Sequence, residues 1–263
     1  MERVLNRLDD VVRIREGLTA ASDVVRRFAP GNVAFDTKGE RGDPVTAADH
    51  AVDKVLRGIL PRAGEGWLSE ESADDESRLD KSRVWVVDPI DGTREFVDGV
   101  PEWCISIGLV EEGIPVAGGI FNPVTGDLVV GSLEHGVTHN GREARVRDPG
   151  DLEGMTVLAS RSERRRGEWD RFEKAPFKVR PCGSVAYKMA LVAAGKAEAT
   201  WTLVPKSEWD VAAGTALVRA AGGRVALADG SEPRFNREKP VFPNLIAAGP
   251  RTFETLMVDW IGD

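Results

Sequence analysis

Two aspartates that could bind a metal, Asp88 and Asp91, lie in one short stretch of the sequence, Asp88-Pro89-Ile90-Asp91-Gly92-Thr93. The apolar run before it predicts a buried strand that ends at Asp88, because Pro89 cannot continue a strand ladder. Asp91-Gly92 is a turn signal, and Thr93 can begin a short helix with Asp91 as its N-cap. Carboxylates beside helix N–H groups suit a divalent metal and a phosphate together. A capped turn with solvated acids explains the same stretch equally well.

Further acids elsewhere in the chain have both a structural and a chemical interpretation. Asp49 is the third helical residue of a capping box that begins at Thr46, and this role alone accounts for it. Glu70-Glu71 follows a short predicted strand, Gly66–Ser69, but such pairs are common on solvated loops. Asp210 lies near the start of a helix rich in small apolar residues, which predicts a buried helix start. A buried acid needs a partner, and a metal ion is a reasonable one.

The elements that position these acids divide the chain into two parts. Residues 1–149 begin with a long amphipathic helix over 1–29 and contain an antiparallel meander between 104 and 138. Asp148-Pro149-Gly150 predicts a subdomain boundary. Residues 150–263 alternate strands with helices, including a polar helix over 162–174 and an apolar helix over 184–195. Such alternation predicts layers of sheet and helix, that is, an α+β fold.

The composition restricts the possible classes of function. The chain has 263 residues, a net charge of −8 and a pI near 5.2, which argue against binding to nucleic acid polymers. It has no apolar run long enough to span a bilayer, and its charged N-terminus does not have the form of a signal peptide, so we expect a cytoplasmic protein. Its two cysteines, Cys104 and Cys182, form no disulfide framework or metal-ligand spacing.

Taken in order, these motifs resemble the signature of the inositol monophosphatase superfamily, the lithium-sensitive, magnesium-dependent phosphatases. The resemblance rests on Asp49, Glu70-Glu71, Asp88 to Thr93 and Trp209-Asp210, with Gly222-Gly223 behind them, and it runs along the whole chain. It implies a layered αβαβα sandwich in two subdomains, which are residues 1–149 with the metal and phosphate site and residues 150–263, which complete it. It also implies a phosphomonoesterase that works without a phosphoenzyme.

The resemblance assigns roles to individual residues. Glu70, Asp88 and the carbonyl of Ile90 would hold one Mg²⁺, and Asp88, Asp91 and Asp210 a second, in a site of two or three ions. Gly92 and Thr93 would bind the phosphate. Asp49, Glu70 and Thr93 would be the catalytic residues, with the Asp49–Thr93 pair orienting the attacking water. This assignment agrees with the preference of Mg²⁺ for hard oxygen ligands and with its effect on bound water.

The substrate is indicated by finer motif detail. Arg94-Glu95-Phe96 is similar to the Lys-Glu-Phe of the 3′(2′),5′-bisphosphate nucleotidases, which remove the 3′-phosphate of adenosine 3′,5′-bisphosphate. Further motifs are similar to that branch and imply substrate contacts by Ser160, Arg161, Gly183, Ser184, Lys188 and Glu208. Ile120-Phe121-Asn122-Pro123 instead resembles the inositol branch.

Other functions remain open at this point. Within the superfamily, inositol 1-phosphate, histidinol phosphate and fructose 1,6-bisphosphate are alternative substrates. A catalytically idle ligand-binding protein on the same scaffold is an alternative of a different class, but such a protein would be expected to lack a metal ligand. Glu70, Asp88, Asp91 and Asp210 are all present. The expected partner is a small phosphorylated metabolite, with no membrane and no nucleic acid, and the resemblance implies a possible homodimer.

Overall fold

The computed structural model describes residues 7–38 and 43–261, beginning with two helices and a small hairpin. Helix α1 (Arg7–Val25) is followed by the antiparallel strands β1 (Phe35–Lys38) and β2 (Asp43–Thr46), and then by helix α2 (Ala47–Ile59). The predicted helix over 1–29 is therefore confirmed over 7–25, and residues 1–6 lie outside the described residues.

A seven-stranded sheet forms the centre of the N-terminal half. Its strands lie side by side in chain order: β3 (Gly66–Ser69), β4 (Arg83–Asp91), β5 (Cys104–Glu111), β6 (Ile114–Asn122), β7 (Asp127–Ser132), β8 (Gly136–His139) and β9 (Arg142–Ala144). Only the β3–β4 pair is parallel, and the other neighbours are antiparallel, as the meander predicted. A short helix, α3 (Thr93–Asp98), follows β4.

A second sheet, of five strands, belongs to the C-terminal half. It contains β10 (Thr156–Ser160), β11 (Lys178–Cys182), β12 (Ala199–Thr202), β14 (Arg224–Ala226) and β16 (Leu245–Ala248), in the order β11-β10-β12-β16-β14. Two shorter strands, β13 (Lys206–Ser207) and β15 (Val241–Phe242), pair with each other. The helices between and after these strands are α4 (Arg161–Arg165), α5 (Val185–Ala193), α6 (Glu208–Ala220) and α7 (Pro250–Leu256).

The helices and sheets alternate in five layers. One core packs α1 and α2 against the first sheet, through residues such as Ile14, Leu56 and Trp85. A second core joins that sheet to α5 and α6 and to the second sheet. A third, rich in aromatic residues such as Trp169 and Trp201, covers the outer face of the second sheet together with α7. The predicted αβαβα sandwich is confirmed.

Helix α6 lies unusually close to the first sheet because glycines on the sheet face its backbone. A Cβ atom at Gly118 in β6 would lie 2.6 Å from the carbonyl oxygen of Ala213, and one at Gly108 in β5 would lie 2.9 Å from the Ala213 nitrogen. Neither contact is sterically possible, so a side chain at either position would push the helix away. The glycines therefore fix the depth at which α6 sits on the sheet.

Two predicted elements differ from the structure. The polar helix expected over 162–174 is wrong, because α4 ends at Arg165 and Gly167 follows with a φ of +77°. Only a single 3₁₀ turn, Asp170–Phe172, lies beyond it. The strand expected to end at Asp88 continues to Asp91 as β4, with a shift in register against β5 between those two residues. Such a bulge accommodates Pro89, because its missing N–H then leaves no ladder bond broken.

Far from that bulge, buried ions join the start of β4 to its neighbours. The Arg83 guanidinium contacts the carboxylates of Asp10 at 2.6 Å, Glu111 at 2.9 Å and Glu65 at 3.1 Å. These partners come from α1, from the end of β5 and from the loop before β3.

Within residues 7–38 and 43–261, no helix combines the length and apolar character needed to cross a bilayer.

Candidate metal and phosphate site

Three carboxylates come together where β3 and β4 end. Oxygen atoms of Glu70, Asp88 and Asp210 all lie within 4.8 Å of one another. Glu70 follows β3 and Asp88 lies in β4, so the parallel pairing of these strands brings the two acids to the same edge of the sheet. Asp210 arrives from the C-terminal half, in the first turn of α6.

The electrostatics of this cluster are unfavourable without a cation. Burial raises the pKa of Asp88 well above its usual range, and the charges of Glu70, Asp91 and Asp210 raise it further. Burial also raises the pKa of Asp210 to about 7, although Lys206 opposes the rise. Raised pKa values of this kind mean that, without a metal, these acids bind protons more readily than ordinary aspartates do. Clustered carboxylate oxygens that repel one another are a donor set that fits Mg²⁺.

Asp91 lies beside the cluster and contacts the start of α5. Its Oδ2 atom accepts hydrogen bonds from the Ser184 hydroxyl at 2.6 Å and from the Ala186 N–H at 2.5 Å. Burial raises the pKa of Asp91, and these two hydrogen bonds act in the opposite direction. The expectation that Asp91 caps the following helix is wrong, because the N-cap of α3 is Gly92, with a φ of +94°. Asp91 instead binds the N-terminus of a helix that begins more than ninety residues later.

Asp49 caps helix α2 and also lies next to Thr93. Its Oδ2 atom accepts from the Thr46 N–H at 2.8 Å and from the Thr46 hydroxyl at 2.7 Å, so the capping box of α2 is confirmed. Its Oδ1 atom lies 3.4 Å from the Thr93 hydroxyl, which is also 3.0 Å from the Ile90 carbonyl oxygen. Asp49 and Thr93 are thus adjacent, at the edge where β4 passes into α3.

Four helices begin around these acids. Asp49 and Asp210 are each the third residue of their helices, α2 and α6, and both complete capping boxes. Asp91 contacts the start of α5, and α3 begins at Thr93. A helix N-terminus carries partial positive charge and free N–H groups, which favour anions. The arrangement therefore offsets part of the repulsion between the acids and leaves N–H groups for a phosphate.

The structure places the predicted substrate residues in two different settings. Ser184 and Gly183 form the turn before α5, beside Asp91, and the Gly183 N–H donates to Glu102 at 2.7 Å. Ser160 is the N-cap of α4 and accepts from the Glu163 N–H. Arg161 is half-buried and forms a two-point ion pair with Glu102. Substrate contacts by these four residues stay predictions.

Lys188 and Glu208 are both buried. Only 2% of Lys188 is exposed, and its ammonium makes no hydrogen bond within the part of the chain that the structure describes. Burial lowers the pKa of Lys188, as does the charge of Lys206, whereas Glu163 and Asp91 attract it. Glu208 is fully buried and accepts from the N–H groups of Asn236 and Arg237 at 2.8 and 3.1 Å. Its carboxylate thus anchors that loop, and its predicted contact with substrate is untested.

Sequence reasoning missed Glu102 and did not place Lys206 and Glu95 in the site. Glu102 joins Arg161 to the Gly183 turn, and these two bonds lower its pKa although burial alone would raise it. Lys206 attracts Asp91 and Asp210. Glu95 packs over Gly183, where a Cβ atom would lie 2.5 Å from its Cγ. The links of Glu102 and Glu95 join residues far apart in the chain, and no local pattern in the sequence indicates them, whereas Lys206 lies close to Asp210 in the sequence.

Comparisons with known proteins agree with this geometry. A sequence model of the inositol monophosphatase family matches residues 8–258. The chain is 35% identical to Nus factor SuhB of Xylella fastidiosa, over 93% of this chain and 91% of that protein. It is 32% identical to the inositol-1-monophosphatase of Mesorhizobium japonicum, with 89% and 90% covered. The solved inositol monophosphatase of Anabaena (Nostoc) superposes with a TM-score of 0.80 and 27% identity, covering 97% of this chain and 96% of that one.

Proposed function

Because this chain belongs to the inositol monophosphatase family, we propose that it hydrolyses a small phosphorylated metabolite with the help of Mg²⁺ bound at the Glu70–Asp88–Asp210 cluster. Members of the family are phosphoric monoester hydrolases that generally use Mg²⁺, and this chain is such a hydrolase. The observation that carries the proposal for the site is the close approach of the three carboxylates, next to the Asp49–Thr93 pair.

The proposed metal ligands are those that the family resemblance implies, and three of them form the carboxylate cluster. Glu70, Asp88 and the Ile90 carbonyl would hold one Mg²⁺, and Asp88, Asp91 and Asp210 a second. When bound, Mg²⁺ lowers the pKa of a coordinated water and neutralises charge on the phosphate and the leaving group. The chain itself supplies the buried Asp88 and the half-buried Glu70 and Asp210. A bound cation would lower the raised pKa values of Asp88 and Asp210.

In this proposal the Asp49–Thr93 pair orients the attacking water. Thr93 can accept a hydrogen bond from the water while it donates its one hydroxyl hydrogen to Asp49 Oδ1, at 3.4 Å, or to the Ile90 carbonyl oxygen, at 3.0 Å. The capping box holds Asp49 by its other oxygen, so the pair has a fixed orientation. The water oxygen attacks phosphorus, the ester P–O bond breaks, and the leaving oxygen takes a proton, giving an alcohol and inorganic phosphate. N–H groups at Gly92 and Thr93 would bind the phosphate oxygens.

Cations beside the cluster support adenosine 3′,5′-bisphosphate as the substrate. Lys188 is buried and has a charge without a hydrogen-bond acceptor in the described residues, while Lys206 attracts the site acids. Arg161 forms an ion pair with Glu102, and the charge of Arg180 also lowers the pKa of Glu102. A second phosphate on the substrate would form ion pairs with basic side chains that a monophosphate does not reach. Gly183, Ser160 and Glu208 complete the predicted contact set.

Inositol 1-phosphate is the second candidate substrate, and the comparison with relatives favours it. The Mesorhizobium protein, 32% identical over most of both chains, is named an inositol-1-monophosphatase. The proposals that the protein is cytoplasmic and that it forms a homodimer stay predictions.

Steady-state kinetics on a panel of phosphate esters test these proposals. The panel contains adenosine 3′,5′-bisphosphate, adenosine 3′-monophosphate, inositol 1-phosphate, histidinol phosphate and fructose 1,6-bisphosphate, each assayed with Mg²⁺. We expect the highest kcat/KM for the first. Asp88→Asn should abolish turnover of every compound, and Asp151→Asn, at an exposed position in the loop before β10, is the matched control.

The two adenosine compounds differ only in the second phosphate, so they test Lys188 directly. Lys188→Met should reduce kcat/KM for the bisphosphate by at least about tenfold and leave the monophosphate within about twofold, since a hydrogen bond to a charged group contributes on that scale. Lys196→Met, at the exposed end of α5, is the control. A preference for inositol 1-phosphate would select the second candidate. Mg²⁺ binding without turnover of any compound would support an idle binding protein.

A further inference from the structure

The hydroxyl of Ser184 has no hydrogen-bonding capacity left for a substrate. A serine hydroxyl offers one donor hydrogen and two acceptor lone pairs. Ser184 Oγ donates to Asp91 Oδ2 at 2.6 Å and accepts from the Tyr187 N–H at 2.9 Å. The Cys104 thiol lies 3.3 Å away, and it supplies the remaining donor because the serine hydrogen is already in use. Only 7% of Ser184 is exposed.

These bonds leave Asp91 with one oxygen for a metal. Its Oδ2 atom receives both the Ser184 hydroxyl and the Ala186 N–H. Its Oδ1 atom has no hydrogen bond within residues 7–38 and 43–261. The carboxylate is therefore held at one end, and its other oxygen is the one left for a metal near Asp88 and Asp210, whose pKa values the Asp91 charge raises. Single-oxygen ligation suits the octahedral geometry that Mg²⁺ requires, whereas Ca²⁺ accepts bidentate carboxylates.

The backbone at Ser184 adopts an unfavourable conformation to make these bonds. Its φ of +56° and ψ of +121° lie outside the regions that residues with a side chain normally occupy. The surroundings hold it there, because Gly92 packs against it so closely that a Cβ on Gly92 would lie 3.3 Å from the Ser184 Cβ. Strained residues of this kind concentrate at functional sites, where neighbouring contacts enforce them.

We propose that Ser184 is a positioning residue for Asp91: it fixes the carboxylate as a single-oxygen ligand and thereby sets the affinity and the preference of the site for Mg²⁺. This differs from the substrate contact expected from the sequence. The inference rests on the proposed Mg²⁺ site but not on the identity of the substrate. The C-terminal half thus shapes a ligand that belongs to β4 in the N-terminal half.

Calorimetric titration of the metal-free protein with Mg²⁺ and with Ca²⁺, without substrate, tests the proposal. Ser184→Ala should weaken Mg²⁺ binding by at least about tenfold, the usual effect of removing a group that orients a metal ligand. Ca²⁺ binding should weaken less, so the preference for Mg²⁺ falls. Ser184→Thr keeps the hydroxyl and should restore both affinities. Ser22→Ala, which removes a buried hydroxyl without a partner in α1, is the matched control.

A second variant separates positioning from folding. Ser184→Gly also removes the hydroxyl, but glycine accepts a positive φ without strain, so its thermal midpoint should equal or exceed that of the wild type. It should lose Mg²⁺ affinity nevertheless. At saturating Mg²⁺, kcat should fall while KM for substrate stays unchanged. Unchanged Mg²⁺ affinity in both variants would overturn the proposal, and a raised KM alone would return Ser184 to the substrate contacts.

The same titration separates this inference from the proposed function. A wild-type protein that binds Mg²⁺ but hydrolyses no compound of the panel would refute the function, while weaker Mg²⁺ binding by Ser184→Ala would still support the positioning role. A protein that hydrolyses compounds of the panel, but whose Mg²⁺ affinity does not depend on residue 184, would support the function and refute the positioning role.

Discussion

At the scale of single residues, the site acids use their two oxygens for different purposes. Asp49 places one oxygen in the capping box of α2 and turns the other towards Thr93. Asp91 uses one oxygen to accept two hydrogen bonds from the start of α5, and its other oxygen accepts none from the described residues. Asp210 accepts from the Ser207 N–H with Oδ2 and also belongs to the three-carboxylate cluster. The structural and chemical interpretations of these residues therefore do not compete.

The raised pKa values of the cluster predict how Mg²⁺ stabilises the protein at different pH. In the metal-free protein the pKa of Asp210 is about 7, against 3.8 for the ordinary side chain, and that of Asp88 is also raised. The folded state then binds protons more tightly than the unfolded state, so these acids favour folding below about pH 4. That contribution is lost as the pH rises to about 7. Mg²⁺ should therefore raise the thermal midpoint more at pH 8 than at pH 5.

Thermal unfolding followed by circular dichroism, with and without Mg²⁺ at the two pH values, checks this expectation. Asp210→Asn removes one titrating group but keeps an oxygen for the Ser207 N–H. The metal-free variant should lose less stability between pH 5 and pH 8 than the wild type, and it should gain less from Mg²⁺. An equal Mg²⁺-induced shift at pH 5 and pH 8 in the wild type would contradict the argument.

At the scale of elements, the position of α6 decides where Asp210 stands. The helix lies against β5 and β6 through Gly108 and Gly118, and no atom fits between Gly118 and the Ala213 carbonyl. Gly118→Ala should lower the free energy of unfolding by about 1–3 kcal/mol, the usual cost of overpacking a core. The helix must move outwards to relieve the contact, so Mg²⁺ affinity should also fall. Urea denaturation and calorimetry measure the two effects.

Gly126→Ala is the control for this prediction, because a Cβ there meets no atom within 4 Å, although the turn itself has a φ of +75°. That variant should lose stability through backbone strain alone and keep its Mg²⁺ affinity. Wild-type stability and wild-type Mg²⁺ binding in Gly118→Ala would show that α6 has more freedom than its contacts indicate.

The elements also show what could be predicted from the sequence. The meander and the capping box at Thr46 were predictable because each is specified by neighbouring residues. Between Asp88 and Thr93 the junction of a strand and a helix was predictable, but the end of the strand and the cap of the helix were not. The link from Glu102 to Gly183 was not, since 81 residues separate its ends and only the packing of the two halves brings them together. The contact between Asp91 and the start of α5 was not predicted, for the same reason. The predicted helix over 162–174 failed because Gly167 ends the helical conformation after one turn.

At the scale of the whole molecule, the buried ions around Arg83 hold together elements far from the site. One guanidinium contacts acids from three elements, and only 6% of Arg83 is exposed. Arg83→Met removes the one cation that contacts all three acids. Arg7 still contacts Asp10 and Glu111, and Arg13 still contacts Asp10 and Glu65, so three carboxylates then share two cations. We expect a loss of about 3 kcal/mol in the free energy of unfolding, measured in urea.

Arg145→Met is the control for Arg83, because its pair with Glu143 is exposed and should contribute less than about 1 kcal/mol. Phosphatase activity of the folded fraction of Arg83→Met should stay near that of the wild type, since Arg83 lies at the opposite end of β4 from Asp88 and Asp91. A stable Arg83→Met protein with low activity would instead connect this ion network to the site.

The close contact between α6 and the first sheet also limits how this sequence can change over evolutionary time. A larger residue at position 108 or 118 would collide with Ala213, and every other residue is larger than glycine. No single substitution at these two positions is therefore tolerated unless α6 moves, and Asp210 would then move with it. Among descendants of this chain that still bind a metal at Asp210, we expect substitutions to accumulate at the exposed loops while this contact stays fixed.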